Sequence, residues 1–221
     1  MNETEFKQPG ESYDDFYARG GGRYDLLQET AFLFFRIVAP LGVGRDCRAL
    51  EIGCGTGLHA EALSRLVVAV DAVDLSVAGI EIAASSFPGP KFTQGDAADF
   101  LRRAPDGHYD LIFARGMSWF HYALEPGRSP FAIDALMVES MRSLRPGGHF
   151  VLQIRTDFTG RTDDTGIRHH RYRQLRRFAG RFGETRMFTD WAGLPLTNGA
   201  SAIESGRNAI VAIRKVTRED R

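Results

Sequence analysis

Between residues 24 and 41 the apolar side chains Leu27, Ala31, Phe34, Phe35, Val38 and Leu41 recur every three or four positions, which lays them on one face of a helix. Pro40 and Gly42 close that run. Residues 49–52 then predict a buried strand running into glycines, 58–66 the helix after it, and 67–73 a second strand, largely apolar on both faces as parallel strands are. A helix over 77–85, strands over 91–94 and 109–114, and a helix over 131–144 follow. Phe131, Leu136, Met137, Met141 and Leu144 hold helical spacing in the last of these, and Pro146-Gly147-Gly148 ends it ahead of a fifth strand at 149–154. Beyond a loop rich in Thr, Asp and Gly comes a very basic stretch at 167–180, and two closing strands are predicted at 182–189 and 208–215. Strands and helices alternating over short connections predict an α/β fold: a doubly wound, mostly parallel sheet with right-handed crossovers.

The first 23 residues lack such periodicity. Tyr13, Phe16, Tyr17 and Tyr24 interleave with acids around Arg19-Gly20-Gly21-Gly22-Arg23, and consecutive glycines break a helix and permit unusual dihedrals. An aromatic flap on a glycine joint suits a lid, and the same aromatics equally suit a core edge. The expected organisation is one structural domain, with a lid arm and helix at 1–44 and the α/β body at 45–221.

The 221 residues suffice for a single core. The 28 basic and 28 acidic side chains cancel, which argues against wholesale attraction to nucleic acid or to an anionic membrane. Only Lys7, Lys91 and Lys215 are lysines, so arginine dominates the basic set and any single Arg is weak evidence of a site. Cys47 and Cys54 have no ligand-spaced partners, so neither a disulfide framework nor a metal site is indicated. No apolar run is long enough to span a bilayer and the amino terminus is acidic and polar, so a cytoplasmic chain is expected.

The strongest chemical signal is Glu51-Ile52-Gly53-Cys54-Gly55-Thr56-Gly57, at the mouth of the first strand. Glycines there let the backbone approach a ligand where a Cβ would collide, and the first turn of the next helix offers free amides. Three features narrow the ligand. The spacing is Gly-x-Gly-x-Gly, rather than the Gly-x-Gly-x-x-Gly that seats a dinucleotide pyrophosphate. Glu51 would repel pyrophosphate but accepts hydrogen bonds from an ammonium group. Asp74 ends the second strand, where a carboxylate accepts both hydroxyls of a ribose. The implied ligand has a ribose and a positively charged end, with no phosphate.

These residues resemble the class I S-adenosylmethionine-dependent methyltransferases, over roughly residues 45 to 155. Leu50 to Gly57 is similar to the family's first motif, and the gap from Glu51 to Asp74 is typical of it. Gln94-Gly95-Asp96-Ala97 resembles the third-strand motif, whose acid reads the adenine amino group, while Tyr109 to Phe113 and Leu144 to Phe150 resemble the fourth-strand motif and the turn before strand five. A nicotinamide-dependent oxidoreductase would need the longer glycine spacing. The resemblance implies a seven-stranded sheet whose last strand is antiparallel and inserted beside strand five, with S-adenosylmethionine as cofactor. It implies cofactor contacts from Glu51, Gly53, Cys54, Gly55, Gly57, Asp74, Leu75, Asp96 and Ala97, with Arg115 a candidate for the methionine carboxylate. Cys54 is expected to serve for size rather than thiol chemistry.

Methyl transfer from a sulfonium needs alignment, water exclusion and an outlet for a proton. Acceptor residues are expected after strand four, after strand five and on the amino-terminal arm, because ligands lie beyond the carboxyl ends of strands in such sheets. After strand four, Ala114 to Tyr122 contains no Asn-Pro-Pro-Tyr, the element by which relatives grip a planar amino group. His121 is the candidate general base, since imidazole titrates near neutrality. It equally suits packing within a Trp-Phe-His-Tyr cluster. Tyr13, Tyr17, Trp119 and Tyr122 are candidate acceptor contacts. The stretch 167–186 carries seven arginines against Glu184, the one nucleic-acid-like signal, yet Tyr172, Leu175, Phe178 and Phe182 at helical spacing read as an amphipathic helix with a solvated arginine face. An acidic arm lying over it is a further expectation, since the first 30 residues hold seven acids against three bases. The expected partner is a small-molecule acceptor. An RNA or other anionic-polymer substrate, and a cofactor-binding module without turnover, are the alternatives.

Overall fold

A computed structural model describes residues 7, 11–21, 24–201 and 208–216. Seven strands form one sheet in the order β3-β2-β1-β4-β5-β7-β6. The chain packs as two compact units, Met1–Arg103 and Ala104–Arg221.

In the first unit, α1 (Tyr13–Ala18) and α2 (Leu26–Leu33) precede β1 (Arg48–Ile52), α3 (Leu58–Ser64), β2 (Ala69–Asp74), α4 (Val77–Ser86), β3 (Lys91–Gln94) and α5 (Ala97–Arg103). β1 pairs with β2, and β2 with β3, all parallel. Leu50, Ile52, Ala72 and Val73 have no exposed surface, as strands covered on both faces require. The helix read over 24–41 is shorter, because at Phe34–Val38 it relaxes into a π-turn. The arm holds a helix that periodicity did not reveal. Ser12 caps α1 by accepting the Asp15 N–H, and Gly20 at φ 87° closes it, with Gly20 N–H donating to the Tyr17 carbonyl and Gly21 N–H to that of Phe16. Two of the three consecutive glycines therefore stop a helix in a Schellman motif rather than form a loose joint; Gly22 and Arg23 lie outside the described residues.

The second unit holds β4 (Tyr109–Arg115), α6 (Ile133–Ser143), β5 (Leu144–Arg155), α7 (Tyr172–Gly180), β6 (Glu184–Asp190) and β7 (Asn208–Arg214). β4 and β5 are parallel, and β7 runs antiparallel between β5 and β6. β5 begins at Leu144, five residues earlier than expected, because Pro146-Gly147-Gly148 bulges out of the ladder between the Tyr109–Leu144 and Leu111–His149 pairs. The basic stretch is amphipathic as expected: α7 buries Leu175, Phe178 and Ala179, and Phe178 meets Phe120 at 6.0 Å. Within the first unit, Glu11 pairs with Arg19, and Asp14 binds Ser76 and Ala78.

Candidate functional site

The glycine loop is set by three left-handed residues, Gly53, Gly55 and Gly57, at φ 73°, 51° and 80°. Side chains other than glycine rarely adopt these values. The loop is moored to β2: Gly53 and Cys54 N–H both donate to the Val73 carbonyl, at 2.8 and 3.2 Å. Asp74 completes the mooring, with one carboxylate oxygen accepting the Gly55 N–H at 2.8 Å and the other the Ser76 N–H at 2.8 Å. Burial pushes its carboxyl up, and these two donors oppose that. Glu51 is 1% exposed, with its carboxylate 3.5 Å from His59 Nδ1. His59 reaches Glu29 with its other nitrogen at 3.7 Å. Burial, and then the Glu51 and Asp74 carboxylates, push the Cys54 thiol well up, so it stays protonated and serves the loop by size.

Gly95 has a φ of 157° with open space where a Cβ would stand, and its N–H donates to the Asp74 carbonyl. Asp96 caps α5 through the Asp99 N–H, Ala97 is buried in the first turn of that helix, and Leu75 is 56% exposed. Two buried carboxylates beside moored glycines repel phosphate and suit a cation carrying hydroxyls; in this respect the residues fit the sulfonium, ammonium and ribose of S-adenosylmethionine.

Sequence reasoning placed Tyr17 with the acceptor, whereas the structure puts it on this loop. A Cβ at Gly55 would stand 2.5 Å from the Tyr17 hydroxyl, and one at Gly79 would stand 3.1 Å from the Tyr17 ring. Burial and the Asp74 carboxylate push the phenol far above its ordinary range. Asp14, one turn earlier, accepts from Ser76 Oγ at 2.5 Å and from Ala78 N–H at 3.1 Å, at the start of α4. Tyr13 lies outside them, 40% exposed and 5.9 Å from the Tyr17 ring. Neither Asp14 nor His59 carried a signal beyond its charge. The capping pair Ser12 and Asp15 could have revealed α1.

The candidate acceptor residues belong to the second unit. A 3-10 turn at Ser118–His121 follows β4, and a looped-back segment bridged at Thr162 and Arg168 follows β5. The two are tied at consecutive carbonyls: His170 Nε2 lies 2.8 Å from the Phe120 oxygen, and Arg168 N–H donates to the His121 oxygen at 3.1 Å. Asp163 organises the looped segment. It accepts from Thr165 and Ile167 N–H and from His169 Nε2, and although burial raises its carboxyl, these donors hold it well below the usual range. Phe158, at φ 61°, is the one non-glycine residue in the left-handed region among the described residues, and such strain collects at working sites.

His121 is 7% exposed, and burial, then His170, His169 and Arg155, lower its pKa to about 4, so the imidazole is neutral at pH 7. Its Nδ1 is buried without a hydrogen-bond partner among the described residues, as are Arg168 Nε, Gln153 Oε1 and Thr189 Oγ1. Gln153 and Thr189 both pair with Ile210 of β7, so they share one face of the sheet. Trp119 stacks on Phe131 at 5.0 Å, and Tyr122 meets the same ring edge-on. Arg115, expected at the cofactor, lies over the Trp191 ring at 4.8 Å. Arg168, His169, His170, Gln153 and Trp191 were not singled out as site residues from the sequence; adjacent histidines after strand five were the available signal.

Residues 49–148 match the model of a family described as a methyltransferase domain. None of the curated proteins matches the chain. Among solved structures, the [4+2]-cyclase SpnF is similar with a TM-score of 0.62 and 20% identity, over 86% of this chain and 81% of that one. A putative S-adenosylmethionine-dependent methyltransferase from Listeria monocytogenes aligns with a TM-score of 0.61 at 15% identity, over 86% and 99%. Geranyl diphosphate C-methyltransferase from Streptomyces coelicolor A3(2), in complex with Mg2+, geranyl diphosphate and S-adenosyl-L-homocysteine, aligns with a TM-score of 0.60 at 16% identity, over 86% and 77%. At these identities the likeness carries the fold alone, and that fold also serves a cyclase.

Proposed function

We propose that this chain is a class I S-adenosylmethionine-dependent methyltransferase that delivers the methyl group to an oxygen or nitrogen atom of a small polar molecule. The observation that carries the acceptor reading is the set of unpartnered buried polar atoms on His121, Gln153, Arg168 and Thr189. Buried polar groups are ordinarily satisfied, so each of these calls for a hydrogen-bonding occupant. A hydrocarbon acceptor would leave them unpaired at a cost of about 1–3 kcal/mol each. Arg168 Nε donates only and favours an anionic or carbonyl oxygen on the acceptor, whereas a neutral imidazole nitrogen accepts as well.

S-adenosylmethionine, when bound, supplies a methyl carbon on a sulfonium leaving group. Glu51 and Asp74 would hold its ammonium group and ribose hydroxyls, and Asp96 its adenine amino group. On the acceptor side, His121 Nδ1 would take the O–H or N–H proton that methylation releases. The imidazole is already neutral at pH 7, as a base requires, although desolvation makes it a weaker base than a free histidine. Acceptor entry has to uncover Nδ1, which the surrounding chain now shields. The His170 and Arg168 ties fix where that nitrogen stands.

No described helix is long and apolar enough to cross a membrane, and both cysteines are free and buried, in keeping with a cytoplasmic, reducing setting. Four of the six arginines of 171–186 are engaged locally: Arg171 with the Thr159 carbonyl, Arg173 with Asn198, Arg181 with Asp134 and Arg186 with Glu184. That supports a structural role over an RNA-binding one. The test is incorporation of a labelled methyl group from S-adenosylmethionine into separated small-molecule and RNA fractions. Label in low-mass products, with a His121→Ala variant altered in its pH–rate profile, is expected. Label in RNA, lost on changing Arg173 and Arg176 to Gln, would overturn the reading.

A further inference from the structure

The surface that Gly55 leaves open to a ligand is already covered by this chain's own Tyr17. Its hydroxyl and Cζ stand 2.5 and 2.8 Å from where a Gly55 Cβ would be, and its phenol ring rests on Gly79 of α4. The Asp74 carboxylate, whose oxygens moor Gly55 and Ser76, lies near enough to raise the phenol. Helix α1 therefore sits on the groups that fit the ribose and the amino-acid end of the cofactor.

The hold is local and small. α1 has six residues, too few to be stable alone in water. Asp14 ties it to the body by hydrogen bonds to Ser76 and Ala78. Its buried anchor, Phe16, packs on other residues of the arm: a Gly21 Cβ would stand 2.2 Å from its ring, Arg19 lies over the ring at 5.1 Å, and Tyr13 and Tyr17 flank it. The Schellman closure at Gly20 and Gly21 also lies within the arm. Leaving the loop would break the Asp14 bonds and the Tyr17 contacts, while the contacts of Phe16 with Tyr13, Tyr17, Arg19 and Gly21 travel with the arm.

We propose that α1 is a displaceable occupant of the cofactor loop: Tyr17 fills the approach to Gly55 and Asp74, Asp14 latches the helix to α4, and the cofactor enters by displacing both. The proposal rests on S-adenosylmethionine being the cofactor. A protein whose binding-competent state is a minor one binds more weakly by that fraction, so loosening α1 strengthens binding. This is opposite in sign to a lid that closes over bound cofactor, whose loss weakens binding.

Calorimetric titration of the full chain with S-adenosylhomocysteine separates the two. Tyr17→Ala is expected to lower Kd by roughly five- to twentyfold and Asp14→Asn by a smaller factor in the same direction. Unchanged or raised Kd values in both variants would overturn the proposal. Hydrogen exchange in the wild-type chain gives an independent reading: amides of residues 13–19 should exchange faster when S-adenosylhomocysteine is added, and slower exchange refutes displacement. Binding by Tyr17→Ala where the wild type shows none would be its strongest form. Failure of every variant and of the wild type to bind would remove the cofactor assignment and the proposal with it, whereas wild-type binding with the wrong sign removes the proposal alone.

Discussion

Lowering the pH from about 7.5 to about 5 should destabilise the second unit through its buried histidines. His121 and His170 are 7% and 1% exposed, and burial lowers both to a pKa of about 4. His170 gives its Nε2 hydrogen to the Phe120 carbonyl, and Phe120 is the neighbour of His121. In the unfolded chain each imidazole returns to about 6.5. Between those values the unfolded state binds more protons than the folded one, so stability is fully present above about 6.5 and is lost as the pH falls towards 4. For a single group with these two pKa values, the loss between pH 7.5 and pH 5 is about 2 kcal/mol, or about thirtyfold in the folding equilibrium. Because His170 is among the groups that depress His121, the pair contributes less than twice that amount. A domain stable by about 5–15 kcal/mol would lose a measurable share of its margin.

Urea unfolding followed by the fluorescence of Trp119 and Trp191 at the two pH values measures this directly. The control is His121→Leu, which removes one titrating group while keeping an apolar side chain in its place. The variant should lose less stability than the wild type over the same interval, by about 1–2 kcal/mol. Asp163 and Asp157 are held low by their donors, so their contributions disappear only below the ordinary carboxylate range and do not enter this window. Asp74, pushed up by burial, works in the opposite direction, and the comparison of variant with wild type cancels it. Equal losses in the two proteins would refute the claim that His121 is held neutral by burial.

Asp74→Asn should weaken S-adenosylhomocysteine binding by about tenfold or more, because a carboxylate facing two hydroxyls loses charge-assisted bonds worth about 1.5–3 kcal/mol; calorimetry checks it. Gly55→Ala should destabilise the chain by at least about 1–2 kcal/mol from the left-handed backbone alone. Its added clash with Tyr17 should make the loss smaller in a Tyr17→Ala background, so a thermal double-mutant cycle with no coupling would contradict the contact. Phe178→Ala, which empties the contact of α7 with Phe120, should cost about 3–5 kcal/mol in urea unfolding.

β1, β2, β4 and β7 were legible because each is a short, largely apolar run; β3 is found at the expected residues, and β7 lies antiparallel beside β5 as the resemblance implied. Three elements were not legible. α1 is held by its caps and by Asp14 rather than by an apolar stripe, α5 is only seven residues long behind a loop read for its acid, and the segment bridged at Thr162 and Arg168 owes its shape to the side chain of Asp163. Periodicity reports burial against a sheet and is silent about such side-chain-to-backbone bonds. The site divides along the same line. Glu51 and Asp74 follow from their places at strand ends, whereas Tyr17 at Gly55 and Arg168 at His121 join residues 38 and 47 positions apart and could not be read from spacing.

The glycine motif shows why the distinction matters. From sequence, three missing side chains mean room for a ligand. In the structure, two of those spaces are filled by the chain itself: a Cβ at Gly57 would stand 2.6 Å from Phe92 and 2.7 Å from Ala83, and one at Gly55 would stand 2.5 Å from Tyr17. The fillings differ in what holds them. Phe92 and Ala83 belong to β3 and α4, elements fixed by the sheet and its packing, so Gly57 is a packing glycine whatever binds nearby. Tyr17 belongs to a six-residue helix that Asp14 ties to the start of α4. Of these two spaces only the one at Gly55 can be vacated without unfolding β3, and it borders Asp74, the acid that the sequence pattern assigns to the ribose. Room for the cofactor at this point of the loop is therefore a matter of exchange, in which the phenol of Tyr17 gives way to the ligand.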